Sequence, residues 1–197
     1  MITQIIVLII LIALNAFFAA SEIAYIALND AKIEKQAKEG NKKAQQIQKM
    51  LETPSKFLST IQIGITLAGF LSSAFASDAF ASKLAPVLNN AIPIGIGAWQ
   101  NISIIIITII LSFFTIIFGE LVPKRLAMKH YEKIAFATIG AIKTISVITA
   151  PFVKLLSVTT NAISKIFGVG ENEEEIVTEE EIKMMVDQGK EDGTIQE

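Results

Sequence analysis

Glu120 is the residue at which chemistry first suggests itself. It sits in FFTIIFGELVPKRLAMKH, residues 113–130, where an apolar run meets Gly119, Glu120 and then Pro123. Proline has no N–H, so Pro123 cannot bond the carbonyl four residues earlier, which belongs to Gly119. The spacing predicts a helix kinked at Pro123 that presents an uncoupled backbone oxygen beside a carboxylate. Both are hard oxygen ligands of the kind Mg²⁺, Ca²⁺ or Na⁺ takes. A second reading pairs Glu120 with Lys124 at i+4, in the favourable order, as an ion pair at a membrane surface.

Two other stretches carry polar groups at helical spacing. Thr60, Gly64, Ala68, Ser72 and Ala76 recur at i+4, with Gly69 and Ser73 beside them. Lipid does not demand small side chains, whereas close helix packing does. The face predicts a packing seam, inside a bundle or across a dimer, and Thr60, Thr66, Ser72 or Ser73 could add oxygen to a bound ion. Earlier in the chain Ala16, Ala20 and Ala24 repeat the spacing, with Asn15, Ser21 and Glu22 nearby. Asn15 lies deep enough in an apolar run to need a partner, either another helix or an ion. Ser21 can bond back to the carbonyl of Phe17. Glu22 lies within a turn of a lysine-rich segment and reads as an interfacial carboxylate.

The elements that must position these residues are membrane helices. Of the 197 residues, 52% are hydrophobic and 18% charged, and the apolar ones come in long blocks. A hydrocarbon core about 30 Å thick needs about 20 apolar helical residues to cross it. Three blocks qualify, at about 3–28, 56–77 and 100–128, and together residues 1–130 read as an all-α, three-helix transmembrane core. Between the first two lie seven lysines, at positions 32, 35, 38, 42, 43, 49 and 56, whereas the loop 78–100, punctuated by Pro86, Pro93, Gly95 and Gly97, holds only Lys83. The positive-inside rule then places the N-terminus outside and the C-terminus in the cytoplasm. No cysteine is present and His130 is the single histidine, which excludes disulfide frameworks and thiolate or His-rich metal sites. No dinucleotide fingerprint, P-loop or nucleophile elbow appears, so the chain reads as no enzyme and as no partner of nucleic acid.

Residues 131–168 are apolar but carry Lys143, Lys154 and Lys165 at eleven-residue intervals, about three helical turns. The pattern predicts two amphipathic helices at the cytoplasmic interface, broken or kinked at Pro151, with lysines reaching toward headgroups; a re-entrant or fourth spanning segment is the alternative reading. Residues 169–197 turn acidic. Thr178 and Glu181 form a capping box ahead of a short apolar stripe.

NAFFAASEIAYIAL, STIQIGITLAGFLSSAFAS, FGELVPKRLA and VTEEEI together resemble the transmembrane domain of the CNNM/CorC family, which includes hemolysin-C-like bacterial members. The resemblance implies three spans, a cytoplasmic belt of juxtamembrane helices, and a homodimer in the lipid bilayer. It also implies Mg²⁺ transport or efflux, in some descriptions coupled to Na⁺, and an acidic helical segment leading to a paired, nucleotide-binding CBS module that this chain lacks. The family's cation site maps onto Glu120, with Gly119 and Pro123 beside it, the first helix and the small-residue second helix. Ser21, Gly64, Ser72 and Ser73 are the expected contributors. Three positions depart from the Mg²⁺ pattern: Ala19 replaces a serine, and Ile65 and Gly69 replace asparagines. Mg²⁺ demands near-octahedral oxygen, so Ser21, Ser72 and Ser73 must compensate, waters must remain, or the ion differs. The expected function is membrane cation transport. Its rival is a non-transporting scaffold or regulator that senses ions. A secreted pore-forming hemolysin is disfavoured by the lysine-rich loop.

Overall fold

The structure is a computed structural model that describes residues 2–93 and 95–167. Every element among them is helical: α1 (Ile2–Ile26), α2 (Asp30–Lys38), α3 (Lys42–Leu51), α4 (Pro54–Ala76), a π-helical turn (Ser77–Ala81), α5 (Ser82–Ala91), α6 (Ile96–Ile116), a second π turn (Ile117–Leu121) and α7 (Val122–Ile166). Three helical stretches, Ile2–Ile26, Pro54–Ala91 and Ile96–Ile166, are long and apolar enough to cross a membrane. Exposed side chains such as Ile9, Phe70, Ile109 and Phe113 suit a lipid surround. Contacts divide the chain into two compact units, Met1–Val153 and Lys154–Glu197. The acidic segment with Thr178 and Glu181 lies outside the described residues.

α1 and α4 pack along the small-residue face, so the seam lies inside the bundle. Thr60, Ala68, Ser72 and Ala76 are buried. The ring of Phe18 lies over Gly64 so closely that an added Cβ would stand 2.5 Å from its Cζ. A glycine is required there because a large aromatic on α1 occupies the space. Gly69, one turn on and off the seam, faces nothing within 4 Å.

The lysine-rich segment is a helical hairpin, where sequence reading expected only a loop. Asn29 Oδ1 accepts from Lys32 N at 2.9 Å and caps α2, and Asn41 Oδ1 accepts from Lys43 N at 3.0 Å and caps α3. Gly40 supplies the positive φ of 93° between them. Ile33, Ala37, Ala44 and Ile47 are buried, with Ile33 and Ile47 joining Tyr25, Phe57, Ile61, Ala135, Ile139 and Ile142 in one apolar cluster. Tyr25 donates its hydroxyl to the Ala135 carbonyl at 3.2 Å, and Lys43 Nζ donates to the Phe136 carbonyl at 2.8 Å. Lys32 also pairs with Glu132, whose carboxylate holds the lysine above its ordinary pKa. The hairpin is thereby tied to α7.

Three further expectations are corrected. Segment 78–100 is largely helical rather than loop, with Pro86 inside α5. Residues 131–166, the part of the expected 131–168 belt that lies in α7, form one helix rather than two, and Pro151 lies within it without leaving helical dihedrals. Proline's φ is itself helical, so the cost there is one lost bond to Val147 rather than a break. The non-helical residue of α7 is instead His130, at φ −129° and ψ 33°. Replacing Gly64 with alanine is expected to destabilise the protein by about 1–3 kcal/mol through overpacking. Adding Phe18→Leu should recover part of it, and Gly69→Ala should cost nothing; thermal unfolding in detergent measures all three.

Candidate functional site

The chain solves the Pro123 problem with the second π turn rather than with a sharp kink at the proline. The Val122 N–H bonds the Ile117 carbonyl, five residues back, and the backbone resumes α geometry through Pro123. Widening the turn makes room for a ring that would otherwise strike the carbonyl four residues earlier. The Gly119 carbonyl then takes a partner from another helix: Asn15 Nδ2 donates to it at 3.3 Å. The two groups are 104 residues apart and both buried. A Cβ on Gly119 would stand 3.0 Å from Asn15 Nδ2, which is why a small residue sits opposite the asparagine. α1 packs against this turn.

Donors run short around that contact. Asn15 Oδ1 and Thr115 Oγ1 are buried without a hydrogen-bond partner, and the Thr115 methyl lies 3.4 Å from where a Gly119 Cβ would be. A carbonyl has two lone pairs, so Gly119 keeps acceptor capacity beyond the Asn15 bond. The cluster therefore offers the Asn15 and Gly119 oxygens as acceptors, with the Thr115 hydroxyl as an unused donor and acceptor beside them.

The neighbouring charges are sorted in a way the spacing did not decide. Lys124 pairs with Glu22, Nζ to Oε2 at 3.0 Å, rather than with Glu120. This is a charge contact without hydrogen-bond alignment, since Oε2 has no aligned donor. Glu120 is half-buried and has no ion pair or hydrogen bond among the described residues. Glu22 is thus the counter-ion of Lys124, and Glu120 is left free of the cation expected to neutralise it.

Other expected contributors behave differently. Ser21 is buried and donates to the Phe17 carbonyl at 2.7 Å, and Ser72 is buried and donates to the Ala68 carbonyl at 2.8 Å. Both keep only lone pairs for an ion. Gly64 lies under Phe18 and serves packing. Ser73 is half-buried. Ala19 and Ile65 belong to the apolar core, so two of the three departures from the Mg²⁺ pattern are filled by packing. No cluster of three or more His, Cys, Asp or Glu exists among the described residues. A cation here would take most of its protein ligands from amide, hydroxyl and carbonyl oxygens. Thr115 was missed in the sequence; its place one turn before Gly119 was the available signal.

The family model for the cyclin M transmembrane N-terminal domain matches residues 6–197. The chain belongs to that family. It is similar to the UPF0053 protein sll0260 of Synechocystis, with 39% identity over 188 residues, 95% of this chain and 42% of that protein. It is also similar to the UPF0053 inner membrane protein YfjD of Escherichia coli, at 26% identity over 79% of this chain and 33% of that protein. The polyamine export protein of Escherichia coli is 28% identical over 96% of this chain and 42% of its own length. The chain thus spans less than half the length of these relatives.

A double-mutant cycle on Glu22 and Lys124 should return a coupling of about 0.5–1 kcal/mol, as for a partly exposed pair. The same cycle on Glu120 and Lys124 should return none. Unfolding midpoints of the single and double alanine variants measure both.

Proposed function

We propose that this membrane domain transports a cation, held by Glu120 and the oxygens around Gly119. The observation that supports the reading is the imbalance at the second π turn. Asn15 Oδ1 and Thr115 Oγ1 are buried and unpaired around Gly119, and the next residue in the chain, Glu120, is half-buried with no side-chain partner among the described residues. Acceptors without donors in an apolar surround are costly unless a positive charge completes them.

Mg²⁺, bound with part of its hydration shell, is the substrate we infer. Ala19 and Ile65 are apolar core and Gly69 has no side chain, so a bound Mg²⁺ would keep several of its waters. Na⁺ is the coupling ion of this reading. The second reading is an organic polycation, favoured by the same shortage of oxygens, because ammonium groups donate hydrogen bonds to a few acceptors and need no octahedral cage. The polyamine export proteins among the relatives motivate it. In either case rocking of helices about the π turn and Pro123 would alternate access. We place the protein in the inner membrane as a homodimer, with the lysine-rich hairpin, the juxtamembrane belt and the C-terminus in the cytoplasm. A CBS module in the longer protein would report nucleotide or ion occupancy to the belt.

Reconstitution in proteoliposomes tests the reading, with Mg²⁺ and spermidine as separate substrates. Glu120→Ala should lower flux of the true substrate at least about tenfold, the equivalent of ~1.4 kcal/mol. Wild-type flux of both substrates in that variant would remove Glu120 from the site. Saturable binding without flux of either would favour the ion-sensing scaffold.

A further inference from the structure

A cavity of about 730 Å³ lies between α3, the start of α4 and α7, away from the π turn. Four lysines line it: Lys42 and Lys49 on α3, Lys56 in the first turn of α4, and Lys143 on α7. Glu52 is the one carboxylate in the lining, so the wall carries three more positive charges than negative ones, four against one. None of the four lysine ammonium groups has an ion pair or hydrogen bond among the described residues. Like charges gathered around one space repel, and an anion is what relieves them. The N-terminus of α4 adds to the field, because Thr53 makes no side-chain cap and Pro54 follows it.

The depth and the apolar lining narrow the anion. α4 has 23 residues, and at ~1.5 Å per residue it is about as long as a bilayer core is thick. Its first turn, with Lys56, then lies at the level of the headgroups. Phe57, only 4% exposed, and Met50 supply apolar surface inside the cavity. Val147, 70% exposed, supplies an apolar rim, with Ile148 next to it 71% exposed. A phosphate among the lysines and an acyl chain along Val147 would satisfy both parts at once.

We propose that this cavity binds the headgroup of an anionic phospholipid, tying the α2–α3 hairpin and α7 to the membrane surface. The purified chain in neutral detergent, incubated with phosphatidylglycerol or phosphatidylcholine and examined by native mass spectrometry, tests it. Phosphatidylglycerol should be retained and phosphatidylcholine should not. At about 5-fold per lysine near a membrane surface, Lys49→Gln with Lys143→Gln should weaken retention about 30-fold. Lys35→Gln with Lys133→Gln, which removes two lysines outside the cavity, should leave it unchanged. Equal loss in both double variants, or none in either, would overturn the proposal. Displacement of the lipid by millimolar inorganic phosphate would overturn it too, assigning the cavity to a water-soluble phosphate.

Discussion

The contact between the Asn15 amide and the Gly119 carbonyl is the interaction on which the rest of the site depends. An apolar medium offers no water to a backbone carbonyl that has lost its helical partner, so the fold must supply a donor. Here the donor comes from α1. That requirement fixes how close α1 comes to the second π turn, and it explains why residue 119 has no side chain. It also leaves the other half of the asparagine, Oδ1, buried without a donor. Satisfying one polar group at this depth creates the demand for another.

The same closeness sorts the charges. α1 brings Glu22 to Lys124 as well as Asn15 to Gly119. A lysine needs one counter-charge, and Glu22 takes that role, so Glu120 stays without one. The carboxylate closest in sequence to the uncoupled carbonyl is therefore the one kept available. Also on α1, Phe18 fills the groove over Gly64 and sets the distance to α4. One helix thus governs the packing seam, the backbone compensation and the charge assignment.

Away from the π turn, the lysine-rich hairpin shows how a polar segment becomes structural. Its two asparagine caps and its buried Ile33, Ala37, Ala44 and Ile47 were present in the sequence as short helical patterns. The density of lysine masked them. What decides their burial is Tyr25, whose hydroxyl reaches α7 while its ring meets Phe57 edge-on at 5.2 Å. The hairpin lysines remain outside that core, and two of them, Lys42 and Lys49, line one cavity together with Lys56 of α4 and Lys143 of α7.

Sequence alone determined the all-helical class, the three spanning-length apolar runs, the family resemblance, and the prominence of Gly119, Glu120 and Pro123. These follow from composition and from local stereochemistry: long apolar blocks need a bilayer, and a proline must release a carbonyl. Spacing also anticipated the Ser21 bond to Phe17. It could not say whether Lys124 belongs to Glu120 or Glu22, because an i+4 neighbour and a residue 102 positions away compete only once helices pack. Nor could it say that a π turn would absorb Pro123, that Pro151 would stay inside a helix, or that Thr115 and Asn15 would share one buried corner. Tertiary structure decided these, since each turns on distances between helices that no local pattern encodes.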